Sequence, residues 1–387
     1  MERSLEILRA AAKTGRQVSF KPLLDQVEVF QDWLEKPETW DRQDGSRTRR
    51  ELLARYLLVN VILDQGPDSK GVGLLLAQVT NALYRREVRF LHQPEEFFQE
   101  LGIAIDHIDS VHTAIKQLRA EKWAQDNQSR ASRYNLFMDN ARQTLSYAVF
   151  RWGVPLALPL VLDRNLAEEE QRPSVLLNYL RSYPSAEVMS WRLKDHHQYG
   201  LGKAIGDKAA HLYAKWLIHT FPILLDPQTP AWGPFGFEVP FDSNAGRVLW
   251  RTGFFLEWAT LQEYIEWKVV QPEEGKGGTD YIRVTNIRKR KSERAREIPD
   301  LWQAYCNLVL DHLCAGRRPR KVEIQRIPLA LLLLDGSGTP GELDDGLMYI
   351  GTHFCFNRAE PLCAECPIHH LCRGYQEDRS LITNYRT

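Results

Sequence analysis

The spacing Cys355-x7-Cys363-x2-Cys366-x5-Cys372 fixes one end of whatever this chain folds into. Thiolates this close in sequence converge on a single metal centre, so the flanking segments must close around one point. Four cysteines serve a [4Fe–4S] cluster or one Zn²⁺. Structural zinc sites more often use two Cys-x2-Cys knuckles far apart, and this tail has one knuckle. Three cysteines with a nearby fourth suit a cubane, in which each thiolate takes its own iron. The expectation is a [4Fe–4S] cluster on Cys355, Cys363, Cys366 and Cys372, serving as a staple that ties the chain end to the core. Cys306 and Cys314 read as core packing, and His369 and His370 as exposed and non-ligating.

This cysteine usage does not suit a secreted disulfide net. Met1 to Gln17 is amphipathic and lacks the pattern of a signal peptide. The longest apolar run, Ile327 to Leu334, is too short to span a bilayer. A cytoplasmic monomer with no membrane partner is expected. The 387 residues carry 50 Lys+Arg and 50 Asp+Glu, so the net charge is zero. That balance argues against strong indiscriminate affinity for duplex DNA. Charge is segregated, however: Ile287 to Arg296 and Arg317 to Lys321 are basic runs. They are either solvated loops or phosphate-contacting ones.

Leu201 to Arg251 is the stretch around which chemistry is expected. Gly200, Gly202 and Gly206 punctuate it and permit the positive φ of a tight turn. From Ala209 onward, Ala210, Leu212, Tyr213, Trp216, Leu217 and Ile218 recur at helical spacing. Lys208 therefore falls in the first turn of a helix. Ser185 to Lys194 reads as the preceding helix, with Ser185 at its N-terminus. Asp242, within Pro240-Phe241-Asp242-Ser243-Asn244, is in an N-cap context for a further helix. Taken singly, Asp242 is a cap and Lys208 a surface lysine.

Together these segments resemble the helix-hairpin-helix DNA glycosylase superfamily, in its iron-sulfur branch typified by endonuclease III. There the hairpin usually reads Leu-Pro-Gly-Val-Gly-x-Lys-x-Ala and the catalytic segment Val-Asp-x-His-x-x-Arg-Val. Here they read Gly202-Lys203-Ala204-Ile205-Gly206-Asp207-Lys208-Ala209-Ala210 and Phe241-Asp242-Ser243-Asn244-Ala245-Gly246-Arg247-Val248. Ala204 replaces a hairpin glycine and Asn244 the usual histidine. The gap between the two motifs is longer than in the family. The cysteine spacing departs from the family's x6, x2, x5 by one residue in its first gap. The resemblance implies that Asp242 is the essential aspartate and Lys208 the Schiff-base lysine. It implies DNA contacts by Gly202, Ala204 and Gly206, and by Gln65, which sits beside Gly66-Pro67 at a helix end. Arg288, Lys289 and Arg290 are the candidate phosphate contacts of the basic run.

The expected fold is mainly α, two-lobed and helix-hairpin-helix glycosylase-like, ending in the cluster loop. Residues 1–50 read as an N-terminal helical extension, and 51–150 as the first part of a helical lobe. The hairpin lobe with the catalytic segment covers 151–268, a basic insertion and helix 269–321, and a helical segment with the cluster loop 322–387. Arg151 to Leu162, with two prolines, reads as a buried connection rather than a helix. The helix after Asp242 is expected to run on through Trp258 and Ile265. Ser132 to Asn135 resembles a family segment in position, and Tyr281 to Thr285 alternates like a short strand. The implied activity is release of a damaged or modified base from lesion-containing or duplex DNA, with an associated lyase step if Lys208 acts. Two other readings fit the sequence. One is hydrolysis of a free modified nucleotide, as in the queuosine salvage hydrolases, which also resemble this superfamily. The other is a lesion-binding protein without catalysis.

Overall fold

The computed structural model describes residues 2–64, 69–100, 102–120, 141–183, 185–224, 239–240, 242–265, 311, 314–315, 326–356 and 360–383. The described chain is mainly α and divides into two compact units. One comprises residues 21–226. The other joins residues 1–20 to residues 227–387.

Helix α1, Glu2–Gly15, belongs to the second of these units. Its Ile7, Leu8, Ala11 and Ala12 are spaced three and four apart, which places them on one face, and all are buried.

The 21–226 unit begins with the short α2, Gln31–Leu34, and a two-stranded antiparallel ladder, β1 (Gln43–Asp44) and β2 (Arg47–Thr48). Gly45, at φ +60°, makes the turn between the strands. Thr48 caps α3, Arg49–Leu63, by accepting from the Glu51 N–H. Nearly every side of α3 is buried, because α7, α8 and α10 pack on it. Around it run α4 (Ser69–Arg85), α5 (Pro94–Glu100) and α6 (Val111–Ala120). The long α7, Ala141–Asn165, follows. Next come α8 (Val175–Arg181), α9 (Ala186–Asp195) and α10 (Asp207–Lys215), the last running into a π turn at Trp216–Thr220.

The two prolines do not interrupt α7. Pro155 and Pro159 lie within it, and residues 152–162 are buried throughout, so the expected irregular connection is a continuous helix. Each proline removes one backbone donor, but burial of a fully apolar run outweighs that loss.

A charge network anchors this unit. Arg55, fully buried, is held between Glu51 at 2.8 Å and Asp163 at 2.7 Å. Arg47 reaches the same Asp163 at 2.7 Å. Glu51 also accepts the Leu176 and Leu177 N–H groups at 2.9 and 3.0 Å, which caps the start of α8. Buried charges are tolerated here because each is paired and hydrogen-bonded.

The other unit continues with α11, Ser243–Arg251. Gly253, at φ +77°, breaks the chain into a 3-10 segment, Phe254–Trp258, before α12, Leu261–Ile265. The expected single helix through this region is therefore three pieces, since a left-handed residue ends α-helical hydrogen bonding. Then come α13 (Arg326–Asp335) and α14 (Pro340–His353). Thr339 and Glu342 form a reciprocal capping box at the start of α14. After the cysteine loop, α15 (Arg373–Gln376) and α16 (Ser380–Thr383) complete the described chain.

Helices α1 and α14 meet backbone to backbone. A Cβ on Gly15 would lie 1.8 Å from the Glu342 carbonyl oxygen, and one on Gly346 would lie 1.9 Å from that of Ala11. No helix among the described residues is long and apolar enough to cross a membrane.

Candidate functional site

Asp242 stands at the N-cap of α11 with its backbone extended. Its Oδ1 accepts the Asn244 N–H at 2.7 Å and the Ala245 N–H at 3.0 Å, and Oδ2 accepts from Asn244 Nδ2 at 3.2 Å. The carboxylate therefore faces the positive end of the helix, where the unsatisfied N–H groups favour negative charge. It is 7% exposed. Capping roles of this kind are common, so the cap alone does not separate structure from chemistry.

What lies behind the cap is more informative. Asn244, Arg247 and Arg251 recur three and four residues apart and share one face of α11. Arg247 donates to Asn244 Oδ1 at 2.6 Å and to the Gly351 carbonyl at 2.7 Å, and its Nε donates to the Cys355 carbonyl. Arg251 donates to Cys355 Sγ at 3.5 Å and to the Phe356 carbonyl at 3.1 Å. A continuous set of polar contacts thus runs from the Asp242 carboxylate to the first cysteine. Gly351 permits it: a Cβ there would be 2.7 Å from Asn244 Cβ. Sequence reasoning missed Arg247 and Arg251 as connectors. The signal was present in their helical spacing from Asn244 toward the cysteine loop.

The four cysteines line one recess of about 360 Å³, mouth included, together with Arg251 and His369. Cys372 Sγ donates to the Arg251 carbonyl at 3.3 Å, and Arg379 reaches Cys363 Sγ at 3.6 Å. Burial pushes the Cys366 and Cys372 thiols up to about 12, and raises Cys363 as well. Thiols in such a setting become ligands only when a cation compensates the buried negative charge. His370 is exposed, whereas His369 is half-buried and its Nδ1 lies 2.8 Å from the Cys366 carbonyl. Cys314 is exposed and so is not the core residue expected; Cys306 lies outside the described residues.

In the other unit, α9 and α10 pack side by side and are joined by a tight turn. Ser185 caps α9 by accepting the Val188 N–H, and Lys194 pairs with Asp207 at 2.8 Å across the two helices. His196 Nδ1 accepts the N–H groups of Gln198 and Tyr199 at 3.2 and 3.1 Å. Gly200 sits where a Cβ would come within 2.4 Å of the His196 carbonyl oxygen. Gly202 takes φ +58° and opens a short 3-10 turn, Gly202–Ala204. Ala204 has no positive φ and its side chain is buried, so a methyl group is accommodated there. Gly206 is exposed and precedes α10 with extended backbone. Lys208 is half-buried in the first turn of α10.

Lys208 and Asp242 belong to different units. Gln65, Arg288, Lys289 and Arg290 lie outside the described residues, as do Ser132 to Asn135 and Tyr281 to Thr285. No protein-family profile, curated protein or solved structure matches the sequence.

Proposed function

We propose that this chain is an N-glycosidase of the helix-hairpin-helix type, releasing a damaged or modified base from DNA. The observation that carries this reading is the Asp242 carboxylate, fixed at the mouth of α11 and joined through Asn244 and Arg247 to the cysteine loop. A paired helix turn in the other unit, with Gly202 at positive φ and Lys208 just beyond it, supports the same reading.

Breaking an N-glycosidic bond leaves positive charge on the sugar as the base departs. A fixed carboxylate beside the anomeric carbon lowers that barrier, because its donors are already in place and need not reorganise. Asp242 fits: the Asn244 and Ala245 backbone N–H groups hold it in one orientation. The base would enter the site flipped out of the duplex. In the turn before α10, Gly202 and Gly206 would bring backbone close to a DNA phosphate, while the Ala204 N–H is donated to the Leu201 carbonyl at 3.1 Å. Lys208 would supply the amine for attack on the anomeric carbon, giving a Schiff base and strand β-elimination.

Cys355, Cys363, Cys366 and Cys372 would hold a [4Fe–4S] cluster. Their convergence on one recess and the guanidinium contacts of Arg251 and Arg379 with sulfur suit an anionic tetrathiolate set. The cluster would cross-link the loop to α11 rather than take part in bond cleavage.

The test is base release from a panel of lesion-bearing oligonucleotides by the wild-type protein and by Asp242→Asn. The expected result is release from at least one lesion, lost in the variant. Release that survives Asp242→Asn, or no release from any lesion, overturns the proposal.

A further inference from the structure

Beyond Cys372 the chain folds back over the end of α11. The Arg373 N–H donates to the Thr252 carbonyl at 3.2 Å, and Arg251 Nη2 donates to the Ile382 carbonyl at 3.3 Å. Gly374 lets the two backbones close: a Cβ there would stand 2.6 Å from the Arg251 carbonyl oxygen. Leu381 and Ile382 are buried, and Tyr375 and Ile382 form part of the wall of the cysteine recess. The C-terminal tail is therefore one side of that recess.

Arg379 stands between α15 and α16, where the tail turns. Its planar guanidinium presents two Nη groups in a fixed fork. Nη1 reaches Cys363 Sγ at 3.6 Å, and Nη2 pairs with Glu360. Glu360 and Cys363 lie either side of Pro361 and Leu362, and the Leu362 N–H donates to the Phe354 carbonyl at 2.9 Å. Cys366 is buried, whereas Cys363 is half-buried and both Glu360 and Arg379 are exposed. The fork thus sits on the solvent side of the recess.

We infer that Arg379 is a latch on the cysteine recess: its guanidinium grips the Cys363 sulfur and the Glu360 carboxylate together, pins the segment leading into Cys363 to the C-terminal tail, and slows loss of the metal that the thiolates hold. This role rests on the four cysteines holding a metal, as proposed above, and is independent of base release. A metal-bound sulfur carries negative charge and accepts charge-assisted hydrogen bonds, and such outer partners keep a ligand in place. Each contact by itself is weak, since the sulfur is a long acceptor and the ion pair is largely exposed. Held in one fork, each lowers the cost of ordering the arginine for the other.

The test is anaerobic release of metal from the purified holoprotein to EDTA, with iron and zinc counted in the released fraction. Arg379→Gln should release metal about tenfold faster than wild type, the lower end of what removing a partner of a metal ligand costs. Arg379→Lys keeps the charge but not the fork and should fall between the two, as should Glu360→Gln. Salt at about 1 M screens beyond about 3 Å, so it should bring wild type toward Arg379→Gln and leave that variant unchanged. The double variant Arg379→Glu with Glu360→Lys separates the sulfur contact from the tie between segments. It restores the ion pair but turns a carboxylate toward Cys363, so release should stay fast. Release from Arg379→Gln at the wild-type rate, or wild-type release from the charge-swapped protein, overturns the latch. Zinc in place of iron would remove the cluster reading and leave the latch to stand or fall by the rate of zinc release. Purified protein that carries no metal overturns both.

Discussion

Substituting Gly346 by Ala should destabilise the unit containing α14, although Ala is the better helix former. The two effects oppose each other and can be weighed. A mid-helix Gly→Ala change gains about 1 kcal/mol of helix propensity. Against it, the new Cβ would lie 1.9 Å from the Ala11 carbonyl oxygen, whereas real Cβ contacts stay beyond 3.0 Å. The obstacle is backbone, so no side chain can rotate away, and α1 must withdraw by about 1 Å. A gap of that size forfeits about a quarter to a half of the dispersion well along the interface of Ile7, Leu8, Ala11 and Ala12. Overpacking of this kind costs about 1–3 kcal/mol or more, so a net loss of about 2 kcal/mol is expected. Urea titration gives the magnitude, and amide hydrogen exchange in α1 and α14 shows where it is felt. Gly15→Ala should cost a similar amount. The double variant should cost less than the sum, because one separation of the helices relieves both clashes. A Gly346→Ala protein as stable as wild type, or two costs that simply add, would refute the close approach.

Four other outcomes follow from the contacts described. Arg55→Met leaves Glu51 and Asp163 buried without their shared cation and should cost about 3–5 kcal/mol in urea titration. Asp242→Ala removes the α11 cap and should cost about 1 kcal/mol, in addition to any effect on base release. His196 is held neutral, first by burial and then by the charges of His197 and Arg192, so its folded value lies below the usual 6.5. Its contribution to stability is therefore present above about pH 6.5 and lost as pH falls toward the folded value, where protonation removes the Nδ1 acceptor. Protection of the Gln198 and Tyr199 amides, corrected for intrinsic exchange, should fall over that range; constant protection would sink the assignment. Cys366→Ser should lower the iron content of purified protein, and unchanged iron and visible absorbance would exclude it as a ligand.

Local signals carried well from sequence to structure. Ser185 and Asp242 are caps, Lys208 is in a first helical turn, and the apolar run after Gly206 is helical, because each depends on residues within one turn. Features set by tertiary packing were not legible. Pro155 and Pro159 sit inside α7 because the apolar faces around them are buried. The break at Gly253 ends a periodicity that continues in the letters. The connection from Asn244 through Arg247 to Cys355 requires knowing that α11 and α14 run alongside each other. The cysteines were conspicuous in sequence, whereas the guanidinium groups that meet them were not.

The pairing of α1 with α14 brings together the two ends of the described chain, while residues 21–226 form a body of their own between them. On the ribosome, α1 would emerge early and wait, its Gly15 and Ala11 backbone open to solvent, until α14 is synthesised. The intervening body can fold during that wait. Completion of the other unit therefore comes after the intervening body has been synthesised, and the aspartate of α11 and the cysteines gain their frame only once α14 has been made.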